Sequence, residues 1–175
     1  MKILKTINVS DYTTKKIGFI IHGTQGSYAG AVNWLMTPAN DRPTLSYSSA
    51  HVVISKQGES TQLARPEQVT WHAGRISSPT WRARKYLPTK SGVPMVAPFK
   101  NPNDSFIGIE CEWFVGDQLT EAQYGAIINY IKSTNIKNPV ILSHSEVTDY
   151  KKDFGRDAKG MLPVEEITRR LAKSN

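Results

Sequence analysis

An α/β fold, a single mixed central β-sheet flanked by helices on both faces, is predicted by the order of hydrophobic patterns along the chain. Two runs, Ile17 to Gly23 and Val140 to Leu142, are short and apolar on successive positions, as strands covered on both faces are. Segments with helical spacing alternate with them, and a hairpin signal lies between.

The first fifteen residues are polar and read as irregular chain wrapped around the body of the domain. Ile17-Gly18-Phe19-Ile20-Ile21 then reads as a central strand that ends in His22, with Gly23 letting the backbone turn. Ala29, Val32, Leu35 and Met36 fall at helical spacing, and Pro38 stops that helix. Ala50 to Ser55 reads as a strand, Lys56 to Glu59 as a turn, and Ser60 to Ala64 as the return strand. Beyond Trp71-His72-Ala73-Gly74, the stretch from Arg75 to Ser105 holds five prolines and reads as a long loop walling a binding groove.

Phe106 to Phe114 is the next strand. Its alternation puts Glu110 and Glu112 on one face and Ile107, Ile109, Cys111 and Trp113 on the other. A surface strand with Glu110 and Glu112 both solvated explains this simply; if helices cover both faces, the Glu110 carboxyl is enclosed and needs a partner or a purpose. Thr120-Glu121-Ala122-Gln123 is a capping box opening a helix to about Ser133, and Pro163 opens a last helix with Val164, Ile167 and Leu171 on one stripe.

With 175 residues, 39% hydrophobic, and neither an internal repeat nor a low-complexity linker, the chain is expected to be one domain spanning 1–175. No apolar run reaches the roughly 20 residues of a membrane span, and the amino terminus lacks the apolar stretch of a secretory signal peptide. Cys111 is the only cysteine, which excludes an intrachain disulfide and a cysteine zinc cluster and suits a small buried apolar residue. The net charge of +7 favours an anionic partner: nucleic acid, a membrane face or an acidic polymer such as the bacterial wall. Lys and Arg are scattered, and no helix-turn-helix, zinc finger or aromatic-basic sheet motif accompanies them, so no nucleic-acid partner is expected.

Of the four histidines, His22 and His144 each close an apolar strand. Two imidazoles and a carboxylate form a zinc set suited to catalysis, because three protein ligands leave a fourth position for water. The carboxylates nearest His144 are Glu146, Asp149 and Asp153, while Glu110 and Lys151 are of the right types for a base and an oxyanion partner. Spacing alone leaves open the plainer reading, histidines satisfied in the core or on the surface.

Five ordered blocks decide between these. Phe19-Ile20-Ile21-His22, Ser49-Ala50-His51-Val52-Val53-Ile54, Trp71-His72-Ala73-Gly74, Ser105 to Glu110, and Ser143 to Gly155 together resemble the zinc-dependent N-acetylmuramoyl-L-alanine amidases of the type 2 family. That family includes wall-recycling enzymes and phage endolysins and shares its fold with peptidoglycan recognition proteins. The resemblance implies one zinc ion per chain on His22, His144 and Asp153, with Glu110 as general base and Lys151 steadying the oxyanion. His72 and Trp71 are implied to meet substrate, with His51 packed beside the site and Trp81 and Arg82 offered to sugar or stem peptide. It also implies hydrolysis of the amide between the lactyl group of N-acetylmuramic acid and L-alanine in peptidoglycan. The chain is expected to act as a monomer with no separate wall-binding domain and no stable membrane insertion. A host-cytoplasmic phage endolysin awaiting release, a cytoplasmic recycling amidase and a non-catalytic recognition module are the settings such a chain suits. The motif differs from the family pattern in ending Asp153-Phe154-Gly155 rather than Asp-Pro-Gly. It is also one residue shorter, which makes Lys152 a rival to Lys151.

Overall fold

The computed structural model describes residues 1–74, 76, 78–87, 100–151, 153–154 and 161–173. Eight strands are described: β1 (Lys2–Ile3), β2 (Val9–Thr13), β3 (Gly18–Gly23), β4 (Val52–Ile54), β5 (Ser60–Gln62), β6 (Gln68–Thr70), β7 (Phe106–Cys111) and β8 (Val140–Ser143). Six form one sheet in the order β1-β5-β4-β7-β3-β8, and β2 and β6 form a second sheet. In the large sheet β4, β7, β3 and β8 are parallel, while β5 returns antiparallel to β4 as the hairpin pattern predicts.

The helices are α1 (Tyr28–Met36), α2 (Trp81–Arg84), α3 (Pro102–Ser105), α4 (Glu121–Ser133), α5 (His144–Val147) and α6 (Pro163–Lys173). On one face of the sheet, Tyr124, Ile127 and Ile131 of α4 and Val164 and Ile167 of α6 pack against Phe19, Ile21, Ile107 and Ile109. On the other face Ile20, Phe106 and Leu142 meet Ala83 of α2 and Val147 of α5, and Leu35 of α1 packs on Val53. The sheet is therefore covered on both sides, which explains why its inner strands are apolar at successive positions. The capping box at α4 forms, with Thr120 Oγ1 accepting from Gln123 N and Gln123 Oε1 from Thr120 N.

Three parts differ from the expectations. The amino-terminal fifteen residues are not irregular: β1 adds to the edge of the main sheet beside β5, and β2 pairs with β6. Backbone pairing, which the polar side chains do not betray, holds them. The stretch from Arg75 to Ser105 contains α2 and α3, with Thr80 and Asn101 as N-caps and Pro102 in the first turn of α3, where its missing N–H costs nothing; Arg75, Ser77 and residues 88–99 lie outside the described residues. The segment after β8, to which the hydrophobic pattern assigns no element, turns at once into α5, because Glu146 Oε2 reaches back to accept from Ser143 N at 2.9 Å.

Candidate metal centre and its neighbours

Parallel register brings the chemistry together. His22 on β3 stands directly beside Glu110 on β7, two positions beyond the pair Ile20 and Gly108. On the other side Ile21 pairs with Ser143, so His144 follows at the same carboxyl-terminal end of β8. Crevices beyond the carboxyl ends of parallel strands are where open α/β sheets place their sites.

His22, His144 and Asp153 are all buried, and one ligand atom of each lies within 4.8 Å of the others. His22 Nδ1 and His144 Nδ1 are 2.9 Å apart, and Asp153 Oδ2 is 3.4 Å from His144 Nδ1. The outer nitrogens settle which ring atoms are free. His144 Nε2 lies 3.2 Å from Ala73 O, and a carbonyl only accepts, so Nε2 carries the hydrogen. His72 Nε2 likewise donates to Phe106 O at 3.1 Å, leaving His72 Nδ1 as the acceptor for His22 Nε2 at 2.9 Å. Both inner Nδ1 atoms therefore present lone pairs to one another. Burial, and the neighbouring imidazoles after it, hold His22 well below the usual histidine range, so a proton is a poor mediator.

Asp153 Oδ2 is buried without a hydrogen-bond donor among the described residues. Three acceptor atoms facing one point with no donor among them are costly unless a cation joins them, and two imidazoles with one carboxylate are ligands zinc takes. The residues fit a zinc ion.

The centre opens on a cavity of about 420 Å³ lined also by Glu110, Lys151, Trp34 and Ser48. Burial and the Asp153 carboxylate push the Glu110 carboxyl up to about 8, opposed by the Lys151 ammonium. Lys152 lies outside the described residues.

Other predicted groups lie elsewhere or are already occupied. His51 is fully buried: its Nδ1 accepts from Gly108 N at 3.0 Å and its Nε2 meets Gln68 O at 3.0 Å, so it is a fastening within the fold and offers nothing to a substrate. His72 lines the cavity, yet both its ring nitrogens are taken by protein partners. Trp71 borders a separate groove with Tyr47 and Pro38. Trp81 is exposed on α2 under Lys85, outside the residues lining the cavity. Arg82 is a brace, donating to Ile141 O and pairing with Glu146 at 3.3 Å. Of the rival carboxylates, Glu146 is consumed by that pair and by the cap of α5, and Asp149 is exposed.

Sequence reasoning missed the cavity's far wall. Trp34 donates from Nε1 to Ser48 Oγ at 3.1 Å, with the Arg42 guanidinium 4.9 Å from its ring centroid. The spacing of Gly30, Ala31 and Trp34 on α1 was the available signal. Asn103 carried none: its Oδ1 accepts from His72 N and Ala73 N and so holds the segment behind both histidines.

Phe154 explains the departure from Asp-Pro-Gly. Its φ is +35°, which a proline ring fixed near −65° does not reach, and its ring meets Trp113 edge-on at 5.4 Å. Trp113 in turn covers Gly23, where an added Cβ would strike the indole. The pair thus clamps the chain beside Asp153 against the turn after His22. Phe154→Pro is expected to lower the thermal midpoint and zinc affinity together, as melting and metal titration would show. Phe154→Ala should cost about 3 kcal/mol.

Fold and site define a class: an α/β protein with the donor set of a metal-dependent hydrolase. The profile of the N-acetylmuramoyl-L-alanine amidase family matches residues 13–156, and the chain belongs to that family. N-acetylmuramoyl-L-alanine amidase A of Achromobacter lyticus is 34% identical over 67 residues, 38% of this chain and 34% of its own length, so the match spans about a third of that relative. The crystal structure of AmpD superposes with a TM-score of 0.61 at 20% identity, covering 97% of this chain and 93% of that one. AmiD from E. coli, solved in complex with anhydro-N-acetylmuramic acid-L-Ala-D-gamma-Glu-L-Lys, gives a TM-score of 0.53 at 19% identity over 82% of this chain and 53% of its own. At these identities the two structures speak for the shared fold.

Proposed function

We propose that the chain, as a single catalytic domain, hydrolyses the amide joining the lactyl group of N-acetylmuramic acid to L-alanine in peptidoglycan, with one zinc ion held by His22, His144 and Asp153. The observation that supports it is the convergence of three buried acceptor atoms, without a donor among the described residues, beside the half-buried Glu110 carboxyl with its raised pKa. Family membership supports the choice of substrate, as does the muropeptide fragment bound by the similarly folded AmiD.

Bound zinc lowers the pKa of a coordinated water to about 7 and polarises a carbonyl. Glu110, at the end of β7 next to His22, takes a proton from the attacking water and returns one to the leaving amine of L-alanine. Lys151 faces the same cavity with its ammonium, the charge needed where the carbonyl oxygen becomes anionic. The Trp34 wall gives the glycan or stem peptide an aromatic surface.

A net charge of +7 suits an anionic wall, which favours a monomeric endolysin made in a host cytoplasm, without a nucleic-acid partner. Among the described residues no helix is long and apolar enough to cross a membrane. Digestion of purified sacculi tests the reading. New L-alanine amino termini without new reducing sugar ends are expected. New reducing ends, or binding without products, would overturn it.

A further inference from the structure

We propose that His72 is a positioning residue for the metal: it locks His22 in the one tautomer that turns Nδ1 toward the ion. The inference rests on the zinc reading above. It assigns the Trp71-His72-Ala73-Gly74 histidine a task behind the metal in place of contact with substrate.

The orientation is over-determined. His72 Nε2 must donate, because its partner at 3.1 Å is the Phe106 carbonyl. Its Nδ1 must then accept, and the hydrogen-bond partner it meets there is His22 Nε2 at 2.9 Å. With that hydrogen fixed on Nε2, His22 has a single lone pair left, on the nitrogen that faces His144 and Asp153. Ligating histidines generally owe their tautomer and ring angle to such an outer partner, usually a carboxylate, carbonyl or water. His144 follows that custom through Ala73 O, whereas His22 leans on a second imidazole.

The fold spends several features on holding that imidazole still. Asn103 Oδ1 accepts from the amides of His72 and Ala73 at 3.1 and 3.0 Å, so the one segment that carries His72 also supplies the carbonyl behind His144. Gly108 leaves a hollow for the ring: a Cβ there would overlap the imidazole. His51 sits behind, its ring edge-on to His72 at 5.9 Å, and grips the same strand through Gly108 N. At 6% relative exposure, with both nitrogens engaged, the ring has no free polar atom for a substrate.

The test combines nitrogen NMR of the imidazoles with competition titrations of Zn²⁺ against a chelator. In the zinc-loaded wild type, His22 and His72 should both show a protonated Nε2 and an unprotonated Nδ1. His72→Leu should weaken zinc binding about 10- to 100-fold. His72→Asn, whose Oδ1 falls where Nδ1 stood and can still accept from His22, should recover most of that loss. A protonated Nδ1 on His72 would overturn the inference from the wild type alone, whether or not the leucine variant folds. So would equal zinc affinity in a folded His72→Leu, or an asparagine variant no better than leucine. A wild type that takes up no zinc would overturn the zinc reading itself, and this inference with it.

Discussion

Asp153→Asn is expected to abolish zinc retention and reduce amide hydrolysis to background, while leaving the metal-free protein at least as stable as the wild type. The asparagine is isosteric, so packing beside Phe154 is kept. What changes is the charge of the third group in the proposed ligand set with His22 and His144. Losing a ligand should exceed the roughly 100-fold loss in affinity that follows removal of an outer partner. The stability half of the prediction comes from Oδ2, which is buried with no donor among the described residues, and from the Asp153 carboxylate raising the Glu110 pKa. Without the ion, that carboxylate is a burden that the amide relieves.

With zinc at about 100 times its Kd, the wild type should gain about 2.7 kcal/mol. For a domain of this size that corresponds to roughly 5–10 °C in thermal midpoint. The two proteins should therefore exchange rank: the variant melts at or above the wild type in chelator and below it in zinc. Melts that rank the two alike with and without metal would sink the assignment of Asp153 as a ligand.

How far the site could be read before its geometry was known differs from residue to residue. His22 and His144 were legible because each ends a short apolar run, and parallel pairing then makes neighbours of strand ends that are 122 residues apart. Glu110 was legible only in part: alternation set it beside Glu112 on one face, which a solvated surface strand explains as well, and the helices covering both faces of the sheet are what remove that plainer explanation. Asp153 was not separable from Glu146 and Asp149 by spacing, and only the resemblance chose it. Burial shows why the choice is physical: Glu146 is spent on Ser143 and Arg82 and Asp149 faces solvent, while Asp153 is enclosed.

His72 shows the opposite case. A characteristic letter pattern marked it as important, yet the pattern carries no direction, and its direction is set by Phe106 O and by the space left at Gly108. The directions of Arg82 and Trp81 were illegible for a related reason. On a four-residue helix, α2, neighbouring side chains point to different sides: one ties down β8 and the other meets water. Strands β1 and β2 left no apolar alternation because main-chain bonds, such as Leu4 N to Gln62 O at 2.8 Å and Thr14 N to Glu67 O at 2.9 Å, hold their ends in place.

Glu110→Gln should lower the rate of amide hydrolysis by about 10² to 10⁴, the usual worth of a positioned general base, with zinc content unchanged. Glutamine keeps the shape at the end of β7 and removes only the ability to accept a proton. Zinc on the neighbouring histidine should favour the ionised Glu110, so the wild-type rate should show an acid limb that the variant lacks.

The same substitution should leave a mark on the metal-free fold, and its sign follows from linkage. Burial and Asp153 raise the Glu110 pKa from 4.5 to about 8, so the folded protein holds a proton that the unfolded chain has already released. Stability contributed by this group must then fall as pH rises from about 4.5 toward about 8 and stay level above it. Glutamine has nothing to release, so the variant should gain on the wild type across that window, with the difference larger at pH 8 than at pH 5 in chelator. A difference independent of pH would mean that Glu110 is solvated and ordinary. It could not then be the base with a raised pKa on which the proposed hydrolysis depends.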